Sequence, residues 1–362
     1  MRIAIVSPLF ESVPPKLYGG TERVVSFLTE ELVRRGHHVT LFASGDSQTA
    51  AHLVPCCPQS LRLDPGSIDQ FAHHIRMLEE VFRRASEFDV IHFNIDYMHF
   101  PLARRQGVPY LTTLHGRQDL PDLEPLYRTY SDAPLVSISD AQREPLPFAN
   151  WVGTVHHGLP SGPLTYHAGP GKYLAFLGRI SREKRVDRAI ELAKHVGMPL
   201  KIAAKVDRAD RDYFEAEIKP LLNDPLVDFV GEINESQKDE FLGNAAALLF
   251  PIDWPEPFGL VMIEAMACGT PIVAFRRGSV PEVMKDGVSG YVVNDMDEAR
   301  VATEKVLSLP RAGCHEYFQQ RFTVDRMAAD YEKIYHGLCA ARRPETAARR
   351  GALAVVEAAE AS

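Results

Sequence analysis

Apolar residues along this chain follow two rhythms that take turns. "RIAIVSP" (Arg2–Pro8) is a short, nearly continuous β-branched run of the kind that forms a buried strand. "TERVVSFLTEELVRRG" follows, with Val24, Val25, Leu28 and Leu32 on one helical stripe, Thr21 as the expected N-cap and Gly36 just past the end. "HVTLFAS" (His38–Ser44) predicts a second strand and "IDQFAHHIRMLEEVFRRA" a helix. "DVIHFN" (Asp89–Asn94), "PYLTTLHG" (Pro109–Gly116) and "PLVSIS" (Pro134–Ser139) read as further strands. Strands without internal alternation, separated by helices, imply a parallel sheet covered on both faces.

The rhythm stops at "HHGLPSGPLTYHAGPGK" (His156–Lys172), which holds four glycines and three prolines and no periodicity, a linker by composition. It restarts with "KYLAFLG", a helix over Val186–Val196, "LKIAAK", a helix over Arg211–Leu221, "VDFVG", a helix over Ser236–Gly243, "AALLFP", a helix over Gly259–Met266, then "PIVAF" and "GYVV". The expectation is an α/β protein of two Rossmann-like, doubly wound parallel-sheet domains facing a central cleft, with residues 1–165 and 166–323 as the two domains. The helical pattern over 324–341 is expected to cross back to the first domain. The segment 342–362, rich in Ala, Arg and Glu, is expected to be frayed.

Length agrees: 362 residues exceed what one core of roughly 250–300 residues holds. Net charge is −8 and evenly spread, with 14 of the 40 basic and 18 of the 48 acidic residues in positions 1–165. No basic face emerges, which argues against nucleic acid as a partner. Paired arginines such as Arg34-Arg35, Arg83-Arg84 and Arg104-Arg105 could touch anionic lipid, though solvated helix ends are the favoured reading. Five cysteines without a C-x-x-C pair suit a reducing cytoplasm. The first residues read as a strand rather than a signal peptide, and no run reaches the ~20 apolar residues of a membrane span. The location expected is cytoplasmic, with the inner membrane face open as a peripheral site.

Three stretches carry chemistry. In doubly wound sheets, ligands meet helix N-termini at the carboxyl ends of strands. "LYGGT" (Leu17–Thr21) lies at such a place, and Gly19 and Gly20 let backbone approach a ligand; a flexible turn is the plainer alternative. In "FLGRISREKRVD" (Phe176–Asp187), Arg179 and Lys184 set a guanidinium and an ammonium where a diphosphate fits, unless both are ordinary surface cations. In "WPEPFGLVMIEAMACGTPIVAF" (Trp254–Phe275), Phe258 and Gly259 lead into a helix whose first amides, on Gly259, Leu260 and Val261, can face phosphate. Glu256 precedes that helix and Glu264 falls in its second turn. Like charge keeps both from phosphate, so hydroxyl groups are their partners, one on each side of a diphosphate. A nucleotide sugar has that layout; a helix-dipole role for Glu256 and a salt bridge for Glu264 are the structural alternative.

"EPFGLVMIE" resembles the E-x7-E signature of retaining glycosyltransferases of the GT-B fold. With "EAMACGTPIVA", "GSVPEVMKDGVSGYVV" and "GRISREK" the chain is similar to glycosyltransferase family 4, from "YGGTERVV" to about Gly337. The resemblance implies that Glu256 contacts donor-sugar hydroxyls and Glu264 the ribose. It implies that Arg179, Lys184 and the Gly259–Val261 amides hold the diphosphate, with Gly19 and Gly20 closing over it. His115, in "TLHG", matches a histidine near the donor sugar; a satisfied core histidine is the alternative. The first domain would bind the acceptor and the second the nucleotide sugar. The expected reaction moves a hexose from a UDP- or GDP-sugar to a hydroxyl of a sugar, lipid or small-molecule acceptor, with retention and without metal or cofactor. The rival readings are a GT-B phosphorylase and a non-catalytic nucleotide-sugar-binding protein.

Departures from the family pattern stand out. Arg185 replaces a glycine that commonly follows the lysine, "HHGLP" (His156–Pro160) stands where N-G-[IV]-D is frequent, and Ala203-Ala204-Lys205 replaces a glycine-containing turn. The D-x-D in "NDMDE" (Asn294–Glu298) precedes a helical pattern, so a capping role for Asp295 or Asp297 is expected over metal binding. His73-His74, His92 and His99 lack metal-ligand spacing and read as core or surface residues.

Overall fold

The computed structural model describes residues 1–16 and 19–341; Leu17, Tyr18 and the segment 342–362, including the expected frayed tail, lie outside the described residues. The first sheet is built from β1 (Arg2–Val6), α1 (Gly20–Arg34), β2 (His38–Ser44), β3 (His52–Cys57), α2 (Gln70–Arg83), β4 (Val90–Phe93), α3 (Phe100–Ala103), β5 (Tyr110–Thr113), α4 (Leu123–Thr129), β6 (Leu135–Ser137) and β7 (Trp151–Thr154). Its strands are parallel, in the order β3-β2-β1-β4-β5-β6-β7. Ile3 sits opposite Val39 on one side and Val90 on the other.

The second sheet uses β8 (Tyr173–Arg179), α5 (Val186–Val196), β9 (Leu200–Lys205), α6 (Arg211–Tyr213), β10 (Val227–Gly231), α7 (Glu235–Gly243), β11 (Ala245–Phe250), α8 (Leu260–Ala267), β12 (Ile272–Phe275), α9 (Val280–Val283), β13 (Gly290–Val293), α10 (Met296–Val306) and α11 (Arg311–Arg321). Its order is β10-β9-β8-β11-β12-β13. Both sheets are doubly wound, reversing order at β1/β4 and at β8/β11, and such reversals open the crevices where α/β proteins bind ligands. A last helix, α12, covers residues 324–341.

Several local expectations change. β3 and β7 were not among the expected strands. Both are edge strands, and an edge tolerates Pro55 in β3 and the half-buried, Gly153-containing β7, so neither shows a continuous apolar run. The N-cap of α1 is Gly19, not Thr21, because the helix starts two residues earlier than the stripe suggests. The expected helix over Arg211–Leu221 is a turn of α6 followed by a π segment (Phe214–Ile218) and a 3-10 segment (Lys219–Asn223). Pro220 has no N–H to continue an α ladder. At α10, Asp295 accepts from the amides of Asp297 and Glu298, which makes the D-x-D a helix cap.

The chain crosses between the domains twice, and the two crossings touch. The Leu159 amide donates to Phe322 O (2.8 Å) and the Val324 amide to Leu159 O (2.9 Å). Before the crossing, Tyr317 and Phe318 of α11 pack into the core of the second domain. After it, Met327, Ala328, Tyr331 and Tyr335 of α12 pack into that of the first. A buried polar chain fastens α12 beneath the first sheet: Tyr335 OH lies 2.8 Å from His92 Nδ1, His92 Nε2 2.7 Å from Thr113 Oγ1, and Thr113 Oγ1 2.9 Å from Tyr331 OH.

Candidate active site

The carboxyl ends of both sheets face one another across a cavity of about 570 Å³. Each sequence-derived site residue lines it: Gly19, Gly20 and His115 from the first domain, and Arg179, Lys184, Glu256, Phe258, Gly259, Leu260, Val261 and Glu264 from the second.

Two helix N-termini meet there. Gly19 and Gly20 open α1, and a Cβ placed on Gly20 would lie 3.8 Å from Leu260 Cδ1 at the first turn of α8. Gly259 caps α8 in the left-handed region (φ 80°), where a Cβ would also strike Met262 Cε at 2.7 Å. The left-handed backbone favours glycine there, and the first turns of both helices point a partial positive charge into the gap.

Arg179 and Lys184 add full charges but are held differently. Arg179, at the end of β8, stands 3.6–3.8 Å from carboxylates of Asp210, Glu183 and Asp207, beyond hydrogen-bonding distance of each. A guanidinium so loosely surrounded is open to a bidentate anion. Lys184 donates to Glu256 Oε2 and lies over the Trp254 ring, 4.9 Å from its centroid. Trp254 Nε1 donates to the same carboxylate oxygen at 2.9 Å. Glu256 is thus an ion-pair partner rather than a bare carboxylate, with both bonds on Oε2. Glu264 is nearly buried and accepts from Lys238 Nζ at 2.6 Å, so the salt bridge weighed for it is present, with its charge still on the cavity wall.

On the first domain, His115 follows β5 and is only half-buried. Asn94 Nδ2 faces Val6 O (3.4 Å), which leaves Oδ1 to receive the His115 Nε2–H at 2.9 Å. That bond assigns the tautomer and leaves Nδ1 as an acceptor. Enclosure lowers the His115 pKa to about 4, so the ring is neutral near pH 7. His157 stacks on it, 5.5 Å between centroids, and meets Phe258 edge-on at 4.7 Å. His115 therefore faces the cavity and is also bonded within the wall.

Contacts between the domains frame the cavity. Arg23 of α1 pairs with Glu235 of α7, Arg117 donates to Glu183 at 3.3 Å, Ser139 Oγ donates to Pro257 O at 2.6 Å, and the Asp140 amide donates to Glu282 at 2.8 Å. Sequence reasoning places the acceptor near the loop "NIDYMHF", which holds Asn94 and Asp96, but it assigned no role to Lys238, Trp254 or His157. Trp254 lay inside the quoted motif and His157 inside "HHGLP". Lys238 had no local signal, because only the fold brings it to the cavity. Among the described residues no group of three His, Cys, Asp or Glu side chains has a metal-binding arrangement, and no helix is long and apolar enough to cross a membrane.

Comparison with known proteins matches this architecture. The family described as glycosyl transferases group 1 matches residues 167–317, and glycosyltransferase family 4 matches residues 18–190. The D-inositol 3-phosphate glycosyltransferase of Thermobifida fusca is 25% identical over 388 residues, covering 88% of this chain and 89% of its own. The alpha-maltose-1-phosphate synthase of Mycolicibacterium smegmatis is 25% identical over 358 residues, covering 85% and 90%. Among solved structures, sucrose-phosphate synthase from Thermosynechococcus elongatus superposes with a TM-score of 0.77 at 19% identity, over 94% of this chain and 100% of that one. Anabaena HepE in complex with UDP does so with 0.70 at 16% identity, over 93% and 100%.

Proposed function

We propose, from the premise that this chain belongs to glycosyltransferase family 4 and has the GT-B fold, that it moves a hexose from a UDP- or GDP-sugar to an acceptor hydroxyl with retention of configuration and without a metal. The observation that carries this reading is the convergence on one cavity of two helix N-termini, Arg179 and Lys184. Four sources of positive potential around one cavity suit a diphosphate, and they are preorganised for the charge that grows on it as the glycosidic bond breaks. HepE, whose structure holds UDP, supports the choice of a nucleotide-linked donor.

The remaining groups take hydroxyls. Glu256 recognises the hexose through the oxygen that Lys184 and Trp254 leave unused, and Glu264 the ribose. His115 Nδ1 accepts from the hexose on the opposite side. The acceptor oxygen attacks C1 from the face the diphosphate leaves. Its proton passes to a phosphate oxygen of the departing nucleotide, and the C1–O bond to phosphate breaks with its electron pair staying on the phosphate. Arg179, Lys184 and the Gly259–Val261 amides hold that developing charge, the task a bound metal performs in other enzymes of this chemistry.

A panel of UDP- and GDP-sugars tests the reading through slow donor hydrolysis without acceptor, with the anomer released followed by NMR. One donor is expected to hydrolyse with retention and Glu256→Ala to abolish it. Arg179→Ala or Lys184→Ala is expected to lower turnover by roughly 10²-fold or more. Unchanged turnover in both cation variants, or a reaction that requires inorganic phosphate, overturns it.

A further inference from the structure

Asp96 stands apart from the groups used so far. It lies three residues beyond β4, at the β1/β4 reversal of the first sheet, and lines the cavity on the side opposite the diphosphate cradle. Its backbone is left-handed (φ 51°), one of two non-glycine residues with positive φ among those described, a conformation Asp tolerates better than most residues. Its side chain is open to the cavity, yet it has no hydrogen-bond or ion-pair partner among the described residues. Partial desolvation by the cavity walls raises its pKa above the ordinary value. An exposed carboxylate that lines the cavity without a donor of its own is open to donors that a ligand brings.

The described cations on the same wall each face a carboxylate. Arg23 pairs with Glu235, and Arg62 pairs with Glu11 at 2.9 Å. Glu22, in the first turn of α1, adds a second carboxyl to the wall, and His115 is neutral. The acceptor side thus has acidic character, its described cations Arg23 and Arg62 each facing a carboxylate, whereas on the donor side Arg179 has no carboxylate within hydrogen-bonding distance.

We infer that Asp96 is an acceptor-recognising residue that accepts hydrogen bonds from hydroxyls of a neutral, hydroxyl-rich acceptor and excludes phosphorylated ones. This deepens the glycosyltransferase reading and rests on it. An anionic acceptor would bring its charge to a wall that carries Asp96 and Glu22, whereas hydroxyl donors satisfy the carboxylate.

The test uses the full chain and the donor identified by hydrolysis. Glucose, fructose and myo-inositol are compared as acceptors with glucose 6-phosphate, fructose 6-phosphate and inositol 3-phosphate. At least one neutral compound is expected to be glycosylated with a higher kcat/KM than its phosphate. Asp96→Asn and Asp96→Gly both accept the left-handed backbone, and a thermal shift with UDP or GDP reports whether each is folded. Both are expected to raise the KM for the neutral acceptor roughly 10- to 100-fold, more than they lower kcat, and to narrow the preference over its phosphate. Preference for a phosphorylated acceptor, unchanged acceptor KM in both variants, or donor hydrolysis with no neutral acceptor used overturns this inference and leaves the donor reading standing. Absence of hydrolysis with every nucleotide sugar overturns both.

Discussion

At the scale of single residues, Arg185 shows how a departure from a family pattern is accommodated. The sequence has arginine where glycine is common, and the backbone there is left-handed (φ 52°, ψ 51°), the geometry that favours glycine. Arg185 caps α5 and is tied down by Asp187 (2.7 Å) and Asp253 (3.3 Å). Those partly exposed ion pairs offset a backbone cost of about 1–2 kcal/mol. Arg185→Gly removes both and is expected to leave stability nearly unchanged. Arg185→Ala keeps the cost and loses the pairs, so it is expected to be about 1 kcal/mol less stable than Arg185→Gly. Urea unfolding of the two variants checks this, and equal midpoints would count against it. The replacement was legible in the sequence; the conformation that gives it meaning was not.

At the scale of elements, the two crossings between domains form one joint. Gly158 lies in the first crossing, and a Cβ there would lie 2.2 Å from the Thr323 carbonyl oxygen in the second. The obstacle is backbone, so it does not rotate away. Gly158→Ala is expected to destabilise the protein by about 1–3 kcal/mol as the segments are pushed apart. Such a loss lowers Tm by roughly 2 °C or less per kcal/mol in a protein of this size. Calorimetry measures it, and an unchanged Tm would show that the crossings part freely. The stripe of α12 and the glycine-rich linker were both readable from the chain. Their contact was not, because Leu159 and Thr323 are far apart in sequence and neither belongs to a periodic pattern.

For the molecule as a whole, buried histidines of the first domain make stability depend on pH. Burial holds His92 down to about 3 and lowers His99 and His157 well below the ordinary 6.5, and the cavity walls around the half-buried His115 hold it at about 4. Between those values and 6.5 the unfolded chain binds more protons than the native one, so stability rises with pH across the window. Their contribution is complete above about 6.5 and is lost progressively as pH falls towards 3. Glu332, held down to about 2 by Arg35, adds a loss in the same direction below its ordinary 4.5. Tm is therefore expected to fall as pH is lowered from 6.5 to 4, and His99→Gln to make that fall shallower. A Tm that does not change over this range contradicts the assignment of these rings as neutral.

The sequence by itself determined the alternation of strands and helices, the linker, the doubly wound class and the motifs that hold Arg179, Lys184, Glu256, Gly259 and Glu264. These follow from local rules: side-chain period, glycine and proline placement, and the geometry of helix starts. Only the tertiary structure decided which charges meet. Lys184 and Glu256 are 72 residues apart, Lys238 and Glu264 are 26, and His92 and Tyr335 are 243. It also brought Asp96 into a cavity whose other walls come from distant segments. Pattern along a chain fixes what each segment becomes. Partnership between side chains depends on how far the chain has travelled before it returns, and no local period records that distance.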